Sequence, residues 1–182
     1  GVPVVIRETR TTLDDVEVKI KEVAEILGVP DEGEALAERV MGEINAARDL
    51  AATDDSDPLV AFVYVRGPQV VFLFGGGTAT QAMIEGAGAV DAGLAAGVFG
   101  PAPLTPEALV AAAPEVIVLP DAGLEALGGI DALLALPGVA ETPAAQNEAF
   151  LAYDEAYFFN LGPRAGQALD EFVRDLYPGI GG

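Results

Sequence analysis

With 182 residues, 51% hydrophobic and 7% aromatic, the chain holds enough apolar material for one folded domain, or a domain with an appendage, which excludes the disordered class. Its 29 acidic residues against 9 basic give a net charge of −20, which repels phosphate backbones and anionic lipid headgroups and speaks against nucleic-acid binding. His and Cys are absent and Ser56 is the one serine, so the common nucleophiles and bases of catalysis are missing and binding becomes the leading function class.

Only Lys19 and Lys21 accompany that acidity. Such a carboxylate excess suits a protein of concentrated salt, and an Ala/Gly/Val-rich protein from a high-GC genome accounts for it equally well. The lack of cysteine rules out a disulfide framework and leaves the compartment open. Residues 1–6 show no basic n-region or cleavage site, and no apolar run approaches the roughly 18 residues of a spanning helix. Any targeting signal is expected to lie outside this sequence.

In chain order, Val2 to Ile6 reads as a short apolar strand with a polar exit through Arg7 and Glu8. Thr12 is a candidate N-cap, and Leu13, Val16, Ile20, Val23 and Leu27 form one helical stripe ending at Gly28. After Pro30, Asp31 and Glu34 resemble a capping box that opens a second helix carrying Leu36, Val40, Ile44, Ala47 and Leu50, to about Ala52. The acidic run from Thr53 to Pro58 reads as a linker. It lacks the Gly and closing Glu of a calcium loop.

Val60 to Val65 and Val70 to Phe74 are predicted strands joined as a hairpin by Arg66, Gly67, Pro68 and Gln69. Beyond Thr78 helices and strands alternate. The predicted helices cover Ala79 to Ala87, Pro106 to Ala113, Ile130 to Leu136 and Pro163 to Leu176; the strands cover Val116 to Leu119 and Phe150 to Tyr153. This alternation implies an α/β three-layer sandwich with a mostly parallel sheet and ligand-facing loops at its carboxyl ends, preceded by the two long helices.

Four places are candidate sites. Gly75, Gly76, Gly77 and Thr78 follow a strand and open a helix, so their amides can cradle an anion, with Thr78 and Gln81 as a capping box. No lysine follows, and a tight turn needing positive φ explains the glycines as well. Thr105, Pro106 and Glu107 read as a cap, a proline at the first helical position and an acid at the positive end of the helix, with Glu107 free to meet a partner's arginine. Tyr153, Tyr157, Phe158 and Phe159 gather aromatics before the last helix: most are expected in the core, with one or two facing a flat apolar ligand or offering a phenolate to iron. Arg164 can pair a ligand carboxylate or clamp a neighbouring Asp.

Taken together, these pieces resemble the C-terminal part of a class III periplasmic-type substrate-binding protein, the ABC-importer family for haem, siderophores and vitamin B12, and most of all its haem-binding branch. The resemblance rests on Gly76 to Thr80 with Met83 and Ile84, Leu104 to Leu109 with Pro114 to Ile117, Gly128 to Gly138, and Leu161 to Arg164. It spans most of Val60 to Tyr177. It implies two lobes with the ligand between them, of which this chain supplies one. Residues 1–10 would then end an absent N-terminal lobe, residues 11–58 would connect, and residues 59–182 would form the C-terminal substrate-binding lobe.

The resemblance further implies an extracytoplasmic protein that catalyses no reaction and captures haem, a ferric siderophore or cobalamin. Ligand contacts would come from Gly76, Gly77, Thr78, Phe99, Gly100, Pro101, Phe158, Asn160 and Arg164. Glu107 falls at the acidic position that docks onto the ABC transporter permease. Pro101 stands where some haem binders carry an axial tyrosine, so no iron ligand is expected from that loop. The rival reading is a small cytosolic α/β enzyme or regulatory domain that binds a phosphate-bearing ligand at Gly75 to Thr78, with Asp91 or Asp121 holding a metal. A third is a dimerisation module, formed by self-association through apolar stripes of the early helices.

Overall fold

The computed structural model describes Val4, Ile6 and residues 9–181. The strand expected from Val2 to Ile6, with its exit through Arg7 and Glu8, lies outside the described residues save for Val4 and Ile6. Helix α1 (Asp15–Leu27) opens on a reciprocal cap. The Asp15 amide donates to Thr12 Oγ1 at 3.2 Å and the Thr12 amide donates to the Asp15 carboxylate at 3.1 Å. Gly28 closes the helix at φ 76, its amide bonded to the Ala24 and Glu25 carbonyls.

Helix α2 (Pro30–Ala51) starts differently from the expected capping box. No side chain caps it; Pro30 takes the first position, where a missing N–H is harmless, and Glu34 pairs with Lys21 at 2.9 Å instead. Val40, Ile44 and Ala47 are buried as the stripe requires. On α1 the stripe is corrected. Ala24 is buried beneath Gly33 while Val23 and Leu27 are exposed, because α2 folds back so closely that a Cβ on Gly33 would collide with Ala24.

The acidic linker is a solvated turn in which Asp54 accepts from the Ser56 amide at 2.9 Å. Strands β1 (Leu59–Val65) and β2 (Val71–Phe74) then form the expected hairpin, with Val63 opposite Leu73. Helix α3 (Ala79–Gly86), strand β3 (Val90–Asp91), helix α4 (Ala92–Ala95), strand β4 (Pro101–Pro103), helix α5 (Pro106–Ala112) and strand β5 (Val116–Pro120) follow. The chain continues through α6 (Asp121–Leu127), α7 (Ile130–Leu134), α8 (Pro143–Gln146), β6 (Phe150–Tyr153), α9 (Glu155–Phe158) and α10 (Ala165–Leu176). Helix α10 begins two residues after the expected Pro163, which sits in the preceding turn with Arg164.

The sheet order is β4-β2-β1-β5-β6, with β3 also on β1. The three pairings on the β3, β5 and β6 side are parallel, and the two through β2 and β4 are antiparallel, so the sheet is mixed. The antiparallel wing follows from the hairpin, and β4 tolerates Pro101 and Pro103 because it lies at the edge. Alternation along β1 divides the core. Val60 and Phe62 pack with α1, α2, α3 and α10, whereas Ala61, Val63 and Val65 pack on the side of α4, α5 and α7. Helices therefore cover both faces, giving the expected three layers; much of the α1 and α2 stripes shares a core with α10, while Val23 and Leu27 stay exposed.

Candidate ligand-binding groove

Phe62 and Tyr64 sit two residues apart on β1 and therefore share a sheet face, next to Phe74 of β2. The Phe62 and Phe74 rings meet edge to face with centroids 5.1 Å apart, and Phe159 leans on Phe62 at 4.4 Å. Together with Thr78, Ala79 and Thr80 at the start of α3, and Glu155 of α9, they line an open groove of about 270 Å³. Enclosing pockets for drug-sized ligands run to roughly 300–1,000 Å³, so this groove has the size of one wall of a cleft.

Polar groups rim the aromatic floor. Thr78 Oγ1 donates to the Gly75 carbonyl at 2.7 Å, lies 2.8 Å from Thr80 Oγ1 and accepts the Gln81 amide as the cap of α3. Arg66, one residue beyond β1, holds its guanidinium 5.8 Å from the Tyr64 ring centroid and 3.5 Å from the Glu155 carboxylate. The groove thus combines flat apolar area with one cation and one carboxylate at its edge.

The two glycine- and proline-marked loops do lie side by side, as a β-bridge between Gly76 and Phe99. That pairing occupies most of the expected anion cradle. The Gly75 amide donates to the Gly100 carbonyl, that of Gly76 to Val98 at 3.0 Å, and that of Gly77 to Gln81 Oε1 at 2.6 Å, so three of its four amides are already engaged within the chain. Gly77 has the positive φ of a turn, 79°. The phosphate-binding rival is left with fewer amides than its loop offered. Of its metal candidates, Asp91 is buried and caps α4 through the Leu94 amide at 2.8 Å, and among the described residues no cluster of three or more carboxylates could hold a metal ion.

Of the residues expected at the ligand, Thr78 alone lines the aromatic groove. Phe99 is 76% exposed, Gly100 joins the bridge, and Pro101 pairs with Phe74 at the sheet edge. Phe158 is corrected to a core residue: it is 2% exposed, stacked on Tyr153 at 4.3 Å and set edge-on to Phe172. Asn160 lies at a separate apolar groove between α1 and α2, and Arg164 covers the Tyr157 ring at 5.0 Å. Glu107 stands exposed in the first turn of α5, where Thr105 accepts the Ala108 amide at 3.1 Å.

Tyr153 is held in the core: it is 6% exposed and its hydroxyl donates to the Asp175 carboxylate at 2.7 Å. Burial pushes its phenol well above the ordinary value, and burial with Glu171 raises that of Tyr157 too. Sequence reasoning missed Phe62, Tyr64, Arg66 and Phe74. The available signal was position: Tyr64 and Arg66 end a predicted strand, where open α/β sheets place their ligands.

The mixed α/β sheet with helices on both faces has the fold of a periplasmic binding protein lobe. The chain belongs to the periplasmic binding protein family, whose model matches residues 1–157. Among solved structures it is similar to the periplasmic haem-binding protein RhuT from Roseiflexus sp. RS-1 in apo form, at 44% identity and TM-score 0.89, covering 92% of this chain and 64% of that one. It is 38% identical to BhuT, a periplasmic haem-binding protein solved with two haems, at TM-score 0.83 over 92% of this chain and 63% of that one. The haem-binding protein HmuT matches at 35% identity and TM-score 0.92 over 98% of this chain and 59% of that one. HmuT has also been solved with a tyrosine, and with an arginine two positions further on, each replaced by alanine. The chain therefore spans about three fifths of the length of these relatives. No curated protein matches it.

Proposed function

We propose that this chain is the C-terminal lobe of an extracytoplasmic substrate-binding protein that captures haem and hands it to an ABC permease. The observation that carries the reading is the aromatic groove of Phe62, Tyr64, Phe74 and Phe159 with Arg66 at its rim. A porphyrin is flat and apolar with carboxylates at one edge, which matches that floor and that cation. Tyr64 and Arg66 have the same two-residue spacing as the tyrosine and arginine replaced in HmuT. Tyr64 is accordingly the candidate iron ligand and Arg66 its cationic neighbour.

Residues 59–182 form the binding lobe, residues 11–58 the connecting helices, and a second lobe supplies the opposite wall of the cleft. Thr78 lines the groove, and Glu107 offers its exposed carboxylate to permease arginines. Ferric siderophores and cobalamin are the alternative cargoes. The net charge of −20 fits a source rich in salt. Haem titration of the full-length protein tests the cargo. A saturable Soret band is expected, reduced at least tenfold in affinity by Tyr64→Ala; absence of haem binding, with a siderophore or cobalamin bound instead, refutes the haem assignment.

A further inference from the structure

Glu155 places a carboxylate in the groove, against the interest of any anionic cargo. It lines the same wall as Tyr64, and its Oε2 lies 3.5 Å from Arg66 Nη2. Arg66 is simultaneously held over the Tyr64 ring. Both partners are well exposed, Arg66 at 68% and Glu155 at 45%, so the pair is weak and exchangeable. From this juxtaposition we propose that Glu155 is an internal competitor for Arg66, occupying the guanidinium in the empty groove and being displaced by a carboxylate of the bound ligand.

This rests on the haem reading and adds a specificity rule to it. A ligand carboxylate that takes over Arg66 must break the Glu155 pair and then lies beside the released carboxylate. A neutral ligand of the same shape leaves the pair intact. Glu155 therefore lowers affinity for carboxylate-bearing macrocycles and spares their uncharged analogues, narrowing discrimination while holding Arg66 in place over Tyr64.

The test compares haem with its dimethyl ester in full-length native protein and in Glu155→Gln. Glu155→Gln is expected to bind haem about two- to fivefold more tightly, as befits a half-exposed charge contact, and the ester unchanged. In Arg66→Gln the preference for haem over ester is expected to fall, and adding Glu155→Gln then yields a smaller gain. Equal or weaker haem binding by Glu155→Gln, or an equal gain for the ester, overturns the competition while leaving the haem reading intact. Native protein that binds neither compound removes both.

Discussion

Gly76 and Phe99 form a parallel bridge in which the Gly100 amide donates to the Gly76 carbonyl at 2.8 Å. A Cβ on Gly76 would come within 2.9 Å of Leu94 Cδ1 and of Phe99 Cδ1, whereas a Cβ on Gly75 would run into the Val98 carbonyl. Side-chain ends can yield and backbone cannot. Gly76→Ala is expected to cost about 1 kcal/mol and Gly75→Ala about 3 kcal/mol by overpacking, read from urea midpoints. Equal costs would mean the two loops are not tied as described.

Phe158 and Phe159 are adjacent and face different fates. Phe158 is enclosed by Tyr153 and Phe172, so Phe158→Ala should destabilise by about 3–5 kcal/mol. Phe159 is half-buried at the groove, and its replacement by Ala should reduce haem affinity while costing less stability. Thermal melts with parallel titrations check the split. A larger stability loss for Phe159→Ala would reverse the assignment.

Thr105 and Glu107 share a helix start and divide its work. Thr105→Ala removes the cap on Ala108 and is expected to cost about 1 kcal/mol. Glu107→Gln should leave the melting temperature within a degree or two and weaken transport or permease association. Reconstituted uptake assays separate them, and unimpaired uptake by Glu107→Gln would end its proposed docking role.

Asp91 is 2% exposed, and one of its carboxylate oxygens has no hydrogen-bond partner. Burial, the leading cause, raises its pKa above the ordinary carboxylate value, against the opposing bonds from the Leu94 and Gly93 amides. The folded state thus holds this proton more tightly than the unfolded state. Its contribution to stability is present in full below the unfolded pKa and is lost as pH rises through the folded one. Relative to Asp91→Asn, the native protein should become less stable from about pH 4 upward, as denaturation curves across that range would reveal.

Tyr177 gives the same sign at the alkaline end. Its hydroxyl donates to the Ala87 carbonyl at 3.0 Å, and burial pushes its pKa up to about 12. The stability that this tyrosine contributes over Tyr177→Phe is expected to hold below about pH 10 and to disappear as pH rises to 12. A gap between the two proteins that stays constant to pH 12 would contradict it.

Local chemistry made much of the fold legible. Thr12, Gly28, Thr78 and Thr105 announce helix ends through their own hydrogen bonds, and the β1–β2 hairpin follows from two apolar runs around Gly67 and Pro68. Short elements such as α4, α8 and β4 were missed because three or four residues are too few to show a period. The Asp31 and Glu34 box was a true pattern that lost to Pro30 and to the Lys21 ion pair.

By itself, then, the sequence determined the three-layer α/β plan, because caps and periodicity act over a few residues, while the motifs from Gly76 to Arg164 carried the resemblance to its family. Tertiary structure decided which groups line the groove. Whether an amide of Gly75 or Gly76 is free depends on a loop more than twenty residues away, and whether Phe158 or Tyr64 lines the groove depends on how β1, β2 and α9 meet. Burial and hydrogen-bond supply are properties of the packed molecule, and they favour the aromatic end of β1 over the glycine loop as the candidate site.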